Sequence, residues 1–177
     1  MTSRKTSTKV KDKPIKTIDI EVALSKYYGV RKHLIVPNIS WGLPGMHECD
    51  MFIITTAGIA TEVEIKISKS DLLADFKKGH DHKDRAGRIS YFYYAMPEVL
   101  YEKCKDLIPI DAGVLICNRG KWEGATVYVK EVQKSSKRKG SRKLTTEECF
   151  KIARLGTMRI WSLKEKIIKL QDGLTKV

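Results

Sequence analysis

The sequence contains no apolar run approaching the roughly 20 residues that a membrane-spanning helix needs. Its first residues, Met1 to Lys16, are polar and basic and lack the apolar core of a secretory signal, so a soluble, cytoplasmic protein with no membrane partner is expected. Cysteine is scarce and scattered: Cys49, Cys104, Cys117 and Cys149 form no CxxC pair. That distribution speaks against a zinc ribbon or a disulfide framework and leaves the thiols as small core residues. No internal repeat is visible. A chain of 177 residues is long enough for one domain with a proper core and too short for two full ones.

What the chain has in excess is positive charge, with 34 Lys and Arg against 21 Asp and Glu and a net charge of +13. Residues 1–16 carry Arg4, Lys5, Lys9, Lys11, Lys13 and Lys16 against Asp12, a net of +5. Residues 134–143 carry Lys134, Lys137, Arg138, Lys139, Arg142 and Lys143 with no acid, a net of +6. The basicity therefore sits in two segments, read as a disordered arm and a linker or disordered loop. Polyanion binding through phosphate contacts and counterion release is the functional reading, against the plainer one of solubilising tails.

Between them the periodicity predicts a domain over 17–133. Ile20, Ala23, Leu24 and Tyr27 recur at helical spacing and predict a helix over 18–28, ended near Gly29. Strands follow over 33–39, 48–55 and 59–67, with turn chemistry at Trp41, Gly42, Pro44 and Gly45 and again at Ala57 and Gly58. Ser68 can cap the next helix, with Asp71 three residues on and Leu72, Leu73 and Phe76 as its buried stripe. A fourth strand over 89–96, a helix over 98–107 and strands over 112–117 and 126–132 complete the domain. In residues 144–177, Thr145 and Glu148 form a second capping-box signature. A helix starts there, and a further amphipathic helix with Ile160, Trp161, Leu163, Ile167, Ile168 and Leu170 forms a C-terminal extension. The order implies an α/β (α+β) fold, a mixed sheet flanked by helices.

The third strand carries the chemistry. Glu62, Glu64 and Lys66 share one face and Val63, Ile65 and Ile67 the other. Glu48 and Asp50 share a face of the second strand, so hairpin pairing could bring Asp50 near Glu64 and Lys66. Two carboxylates on adjacent strands suit a hard divalent cation, and a lysine two residues on can hold a water or offset phosphate charge. Taken alone, Glu-x-Glu-x-Lys is common as decoration of an edge strand. Glu62 and Glu48 compete with the chosen ligands, and Glu64 is preferred because it precedes a lysine by two.

The spacing Asp50, thirteen residues, Glu64-Ile65-Lys66, within a helix-strand-strand-strand-helix-strand order, resembles the PD-(D/E)XK nuclease superfamily. Cys49 stands where the motif's proline would be. The resemblance covers about residues 18–97 and implies a restriction-endonuclease-like αβββαβ core. It implies that Asp50, Glu64 and the main-chain carbonyl of Ile65 hold Mg2+ or Mn2+, that Lys66 positions or activates water, and that a first-helix acid contributes, Glu21 or else Asp19. The stretch Glu64 to Ser68, with Asp71, Asp75-Phe76-Lys77 and Tyr93-Tyr94-Ala95-Met96-Pro97, most resembles the MmcB-type DNA-repair proteins. On that likeness Ser68, Asp71, Asp75 and Lys77 face the site. The aromatics Tyr91 to Tyr94 read first as sheet packing, and the tract His80-Asp81-His82-Lys83-Asp84 as a polar loop rather than a second metal site.

The expected activity is metal-dependent hydrolysis of DNA phosphodiester bonds in repair, recombination or phage DNA processing, with Lys69, Lys77, His80, Lys83, Lys137, Arg138, Lys139 and Arg142 contacting the nucleic acid. Two rivals remain: an inactive nucleic-acid-binding module with the same fold, and a scaffold whose C-terminal helix docks and whose basic arm contacts RNA. The apolar residues 160–170 could serve a homodimer interface or pack on the core.

Overall fold

The computed structural model describes residues 14–39, 43, 47–77, 87–120 and 126–174. The basic residues of the arm before Pro14, the turn residues Trp41, Gly42, Pro44 and Gly45 and the tract with His80 and Lys83 lie outside these.

The elements run α1 (Thr17–Tyr28), β1 (Leu34–Ile39), β2 (Cys49–Ile54), β3 (Ala60–Ile65), α2 (Lys69–Lys77), β4 (Ile89–Pro97), α3 (Glu98–Cys104) with a 3-10 turn (Lys105–Leu107), β5 (Gly113–Arg119), β6 (Val127–Gln133) and α4 (Thr146–Leu174). The strands form one mixed sheet in the order β1-β2-β3-β4-β5-β6. The first three strands are an antiparallel meander, β4 and β5 join in parallel, and β6 returns antiparallel. Parallel neighbours need a crossover, which α2 and α3 supply. The fold is thus α+β, with the helix, three-strand, helix, strand order read from the periodicity.

One face of the sheet is largely apolar. Met51, Ile53, Val63, Ile65, Ala95, Leu115 and Cys117 bury against Ile20, Ala23 and Leu24 of α1. On the opposite face Leu72 of α2 and Leu100 and Cys104 of α3 cover Phe92, Tyr94 and Met96. Leu144 and the start of α4, through Ile152 and Leu155, cover Val36, Phe52 and Ile54. Gly113 pairs with Tyr93, whose ring lies 2.2 Å from where a Cβ would stand, so only glycine lets the aromatic cross the strand there. All four cysteines are free, three of them buried, as small core residues should be.

Two expectations need correcting. Residues 134–143, expected as a linker or disordered loop, are strapped to the sheet. The N–H groups of Ser136, Arg138 and Arg142 donate to the carbonyls of Asp111, Ser90 and Gly87, and Phe92 N–H donates to Ser135 Oγ at 3.0 Å. The strap occupies the flank of β4 that β5 is too short to pair, which satisfies backbone groups that would otherwise be orphaned. The C-terminal region, expected as two helices, is one helix of 29 residues. Its start is fixed by a full capping box: Glu148 N–H donates to Thr145 Oγ1 at 3.2 Å and Thr145 N–H to Glu148 Oε2 at 2.9 Å.

Candidate active site

The alternation of β3 decides where its charges go. With Val63 and Ile65 turned to α1, Glu62, Glu64 and Lys66 must point to the other face, under α2. All three are buried, at 0%, 6% and 5% exposure. The alternative of a solvated edge decoration is set aside: β3 is an interior strand, paired on both sides.

Asp50 stands one step beyond the Met51–Val63 pair, opposite Glu64. Its Oδ2 accepts the Ile65 N–H at 2.7 Å, taking over a ladder bond where β2 frays. Phe52, not a carboxylate, stands opposite Glu62, so the register itself favours Glu64 over Glu62 as the partner of Asp50. Glu62 instead meets His47, with Nε2 and Oε1 2.6 Å apart. Glu48, the other competitor, is exposed just before the strand begins.

Lys66 Nζ donates to Glu64 Oε2 at 3.0 Å and pairs with Asp75 Oδ1 of α2 at 3.1 Å. The Tyr94 hydroxyl donates to the other Asp75 oxygen at 3.2 Å. Tyr94 is itself clamped edge-on by Phe92, with ring centroids 4.8 Å apart, and by Phe76 at 6.1 Å. A rigid ring thus fixes Asp75, Asp75 fixes the ammonium, and the ammonium lies against Glu64. Asp75 was expected on the site-facing side of α2. Tyr94, by contrast, was read as packing, which it also is; the signal that could have found it is the parallel β3–β4 register that sets Tyr94 beside Glu64.

The electrostatics are strained. Burial, then the neighbouring Asp50 carboxylate, pushes the Glu64 pKa up to about 7 despite the opposing pull of Lys66. Burial also raises Asp50, against the Ile65 N–H and Lys66, which lower it. For Lys66 burial works against the charged form, but Glu64 and Asp75 together outweigh it and raise its pKa. Among the described residues, Asp50, Glu64 and Asp75 gather about Lys66, and Glu62 meets His47. Glu64 Oε1 is buried and has no hydrogen-bond partner among the described residues. A desolvated carboxylate oxygen left without a donor is costly unless a cation takes that place.

The donor set fits a hard divalent cation. Asp50 and Glu64 supply two carboxylates, and Mg2+ commonly takes only one or two protein carboxylates beside water and phosphate oxygens. No group of three or more His, Cys, Asp and Glu side chains suited to a metal occurs among the described residues.

The fold has a counterpart among solved structures. A protein of unknown function from Silicibacter pomeroyi matches with a TM-score of 0.60 and 17% identity, over 89% of this chain and 95% of that one. At such identity the likeness speaks to the fold alone. No family model and no curated protein matches the chain. No helix among the described residues is long and apolar enough to cross a membrane.

Other expected residues fall elsewhere. Glu21 is not brought into the cluster: α1 lies on the opposite face, and Glu21 Oε1 instead accepts from Asn38 Nδ2 at 3.1 Å. Asn38 falls between the Pro37–Met51 and Ile39–Cys49 pairs, beside Asp50, and holds a left-handed backbone at φ 52° that asparagine tolerates better than most residues. Asp19 is taken by the Lys16 N–H and by Arg119, each at 3.0 Å. Ser68 caps α2, accepting the Asp71 N–H at 3.1 Å. Lys69, Lys77, Lys137 and Lys139 are exposed. Arg138 is half-buried and Arg142 exposed, each with a partner on the protein. Arg138 lies over the Phe92 ring at 5.2 Å, and both terminal nitrogens of Arg142 grip Glu148 at 2.7 Å. His80 and Lys83 lie outside the described residues.

Proposed function

We propose that this chain is a metal-dependent nuclease of the PD-(D/E)XK type that hydrolyses DNA phosphodiester bonds. The observation that carries the reading is the convergence of Asp50, Glu64 and Lys66 on one buried patch where Glu64 Oε1 lacks a donor. Asp50 and Glu64, with the main-chain carbonyl of Ile65, would hold Mg2+ or Mn2+. Such an ion, when bound, neutralises phosphate charge and makes water more acidic.

The chain's own groups do the rest. Lys66, pinned between Glu64 and Asp75, presents a fixed ammonium that orients the attacking water and offsets charge developing on the phosphate. Tyr94 and Asp75 are positioning residues, holding that ammonium without meeting the substrate. Exposed Lys69 and Lys77 on α2, with Lys137 and Lys139 on the strap, supply sequence-independent attraction for the DNA backbone.

Incubation of the purified chain with single-stranded, duplex and branched DNA and Mn2+ tests this. Cleavage that chelation stops, and that Lys66→Ala lowers by about 10²–10³-fold, is the expected result. Metal-independent products, or none on any substrate, would count against it. The rival is an inactive nucleic-acid-binding module. It is favoured by the ion pairs Lys66 already makes with Glu64 and Asp75, which satisfy the lysine without substrate. Salt-sensitive DNA binding without any bound ion would select that rival.

A further inference from the structure

The second half of α4 leaves the sheet behind. Up to Gly156 the helix is packed: Ile152 and Leu155 are buried, and a Cβ on Gly156 would stand 3.4 Å from Val36 Cγ2. From residue 160 to 173 every side chain position is exposed. Ile160, Trp161, Leu163, Ile167, Ile168 and Leu170 are between 52% and 69% exposed. An isolated solvated helix gains nothing from such a stripe, and contiguous apolar patches of a few hundred Å2 mark interaction sites.

The pattern says what covers it. Ile160, Leu163, Ile167 and Leu170 recur at spacings of three, four and three, with β-branched and leucine side chains alternating strictly. The three-residue step from each Ile to the next Leu puts Ile at the a and Leu at the d position, the combination that favours two strands in a coiled coil. Seven residues earlier the same two positions are Ala153 and Gly156, so the seam is the uncovered continuation of the face that meets Val36. Trp161 flanks the seam with Lys164 Nζ 5.0 Å over its ring.

The remaining face, with Ser162, Glu165, Lys169 and Asp172, is polar with both signs of charge, as suits water. At half exposure each large apolar side chain offers on the order of 100 Å2. The four seam residues together therefore offer on the order of 400 Å2, a small interface beside the roughly 800 Å2 per partner of a standard one.

We infer that the exposed half of α4 pairs with the same helix of a second copy of this chain as a two-stranded coiled coil. The proposal stands independently of the hydrolytic reading. The positions flanking the seam are Arg159, Lys164, Lys166 and Gln171, with no acid among them, so like charges oppose the pair and added salt should tighten it.

Sedimentation of the full chain over a range of concentrations and two salt levels tests this. The mass should rise from 20.2 kDa towards twice that value with concentration, at lower concentration in high salt. The double variant Leu163→Glu/Ile167→Glu should stay monomeric throughout. At a concentration where the wild type is also monomeric it should unfold at the same temperature, because neither side chain touches the core. Lys169→Glu, on the outer face, should dimerise as the wild type does. A wild-type monomer at every concentration would overturn the proposal, as would a double variant that still dimerises. So would a wild-type chain whose only association is with anionic phospholipid vesicles.

Discussion

Val63 and Ile65 point towards α1 and are 0% and 4% exposed, while Glu62 and Glu64, on the intervening positions of the same strand, and Lys66 just beyond it are buried almost as fully, at 0%, 6% and 5%. The apolar side gains from burial at about 25 cal/mol per Å2. The ionic side pays a desolvation penalty that its pairs recover only in part, since Glu64 still sits near pKa 7 with one oxygen unpartnered. One strand therefore stabilises the fold on one face and weakens it on the other, and sites of that kind are where chemistry is found.

Substitutions on the two sides should move stability in opposite directions. Ile53→Ala, on the apolar side, removes a fully packed side chain and should cost about 2–5 kcal/mol in urea unfolding. Glu64→Gln should do the reverse in metal-free buffer at pH 8. Deleting a charge the fold disfavours should raise stability by roughly 1–3 kcal/mol while abolishing metal-dependent cleavage. A loss of stability in Glu64→Gln would mean that the ion pair with Lys66 outweighs the burial penalty, and the contrast between the faces would collapse.

Titration sharpens the same contrast. Glu64 binds its proton more tightly folded, at a pKa of about 7, than at its ordinary 4.5. Stability from this group is therefore highest below pH 4.5, falls as pH rises towards 7 and is flat above, by on the order of 3 kcal/mol. Mn2+, which needs the ionised carboxylate, should raise the unfolding temperature strongly at pH 8 and little at pH 5. An equal shift at both pH values would place the ion elsewhere.

The smallest effect lies far from the site. Glu148, held well below the usual carboxylate range, at about 2, by the Arg142 side chain, closes the capping box of α4. Glu148→Ala should cost about 1 kcal/mol with cleavage unchanged.

Much of this contrast is written in β3 itself, because a period of two sorts Val63 and Ile65 from Glu62, Glu64 and Lys66 without reference to any other strand. The turn at Gly58 and the Thr145–Glu148 cap are equally local, and their elements lie where the sequence puts them. The strap over 134–143 was not legible: its Ser, Gly and Lys composition is that of a loop, and the carbonyls of Asp111, Ser90 and Gly87 that hold it are distant in sequence. The unbroken course of α4 was hidden for a related reason. The close approach of Val36 to Gly156, midway along the helix, is a contact distant in sequence. Within the site, Asp50 and Glu64 follow from a hairpin, whereas the Tyr94–Asp75–Lys66 chain depends on a parallel crossover that no local pattern encodes. The partner of Glu21 was equally out of reach, because helical spacing places it on α1 without saying which residues of the sheet α1 meets.

The central claim is that Asp50 and Glu64 share a cation, and a crystal structure of the chain grown with Mn2+ tests it directly. Anomalous density about 2.0–2.3 Å from a carboxylate oxygen of each residue, with Lys66 beside it, is the expected result. Density confined to other residues, or none at millimolar Mn2+ with Glu64 Oε1 still without a partner, would contradict it.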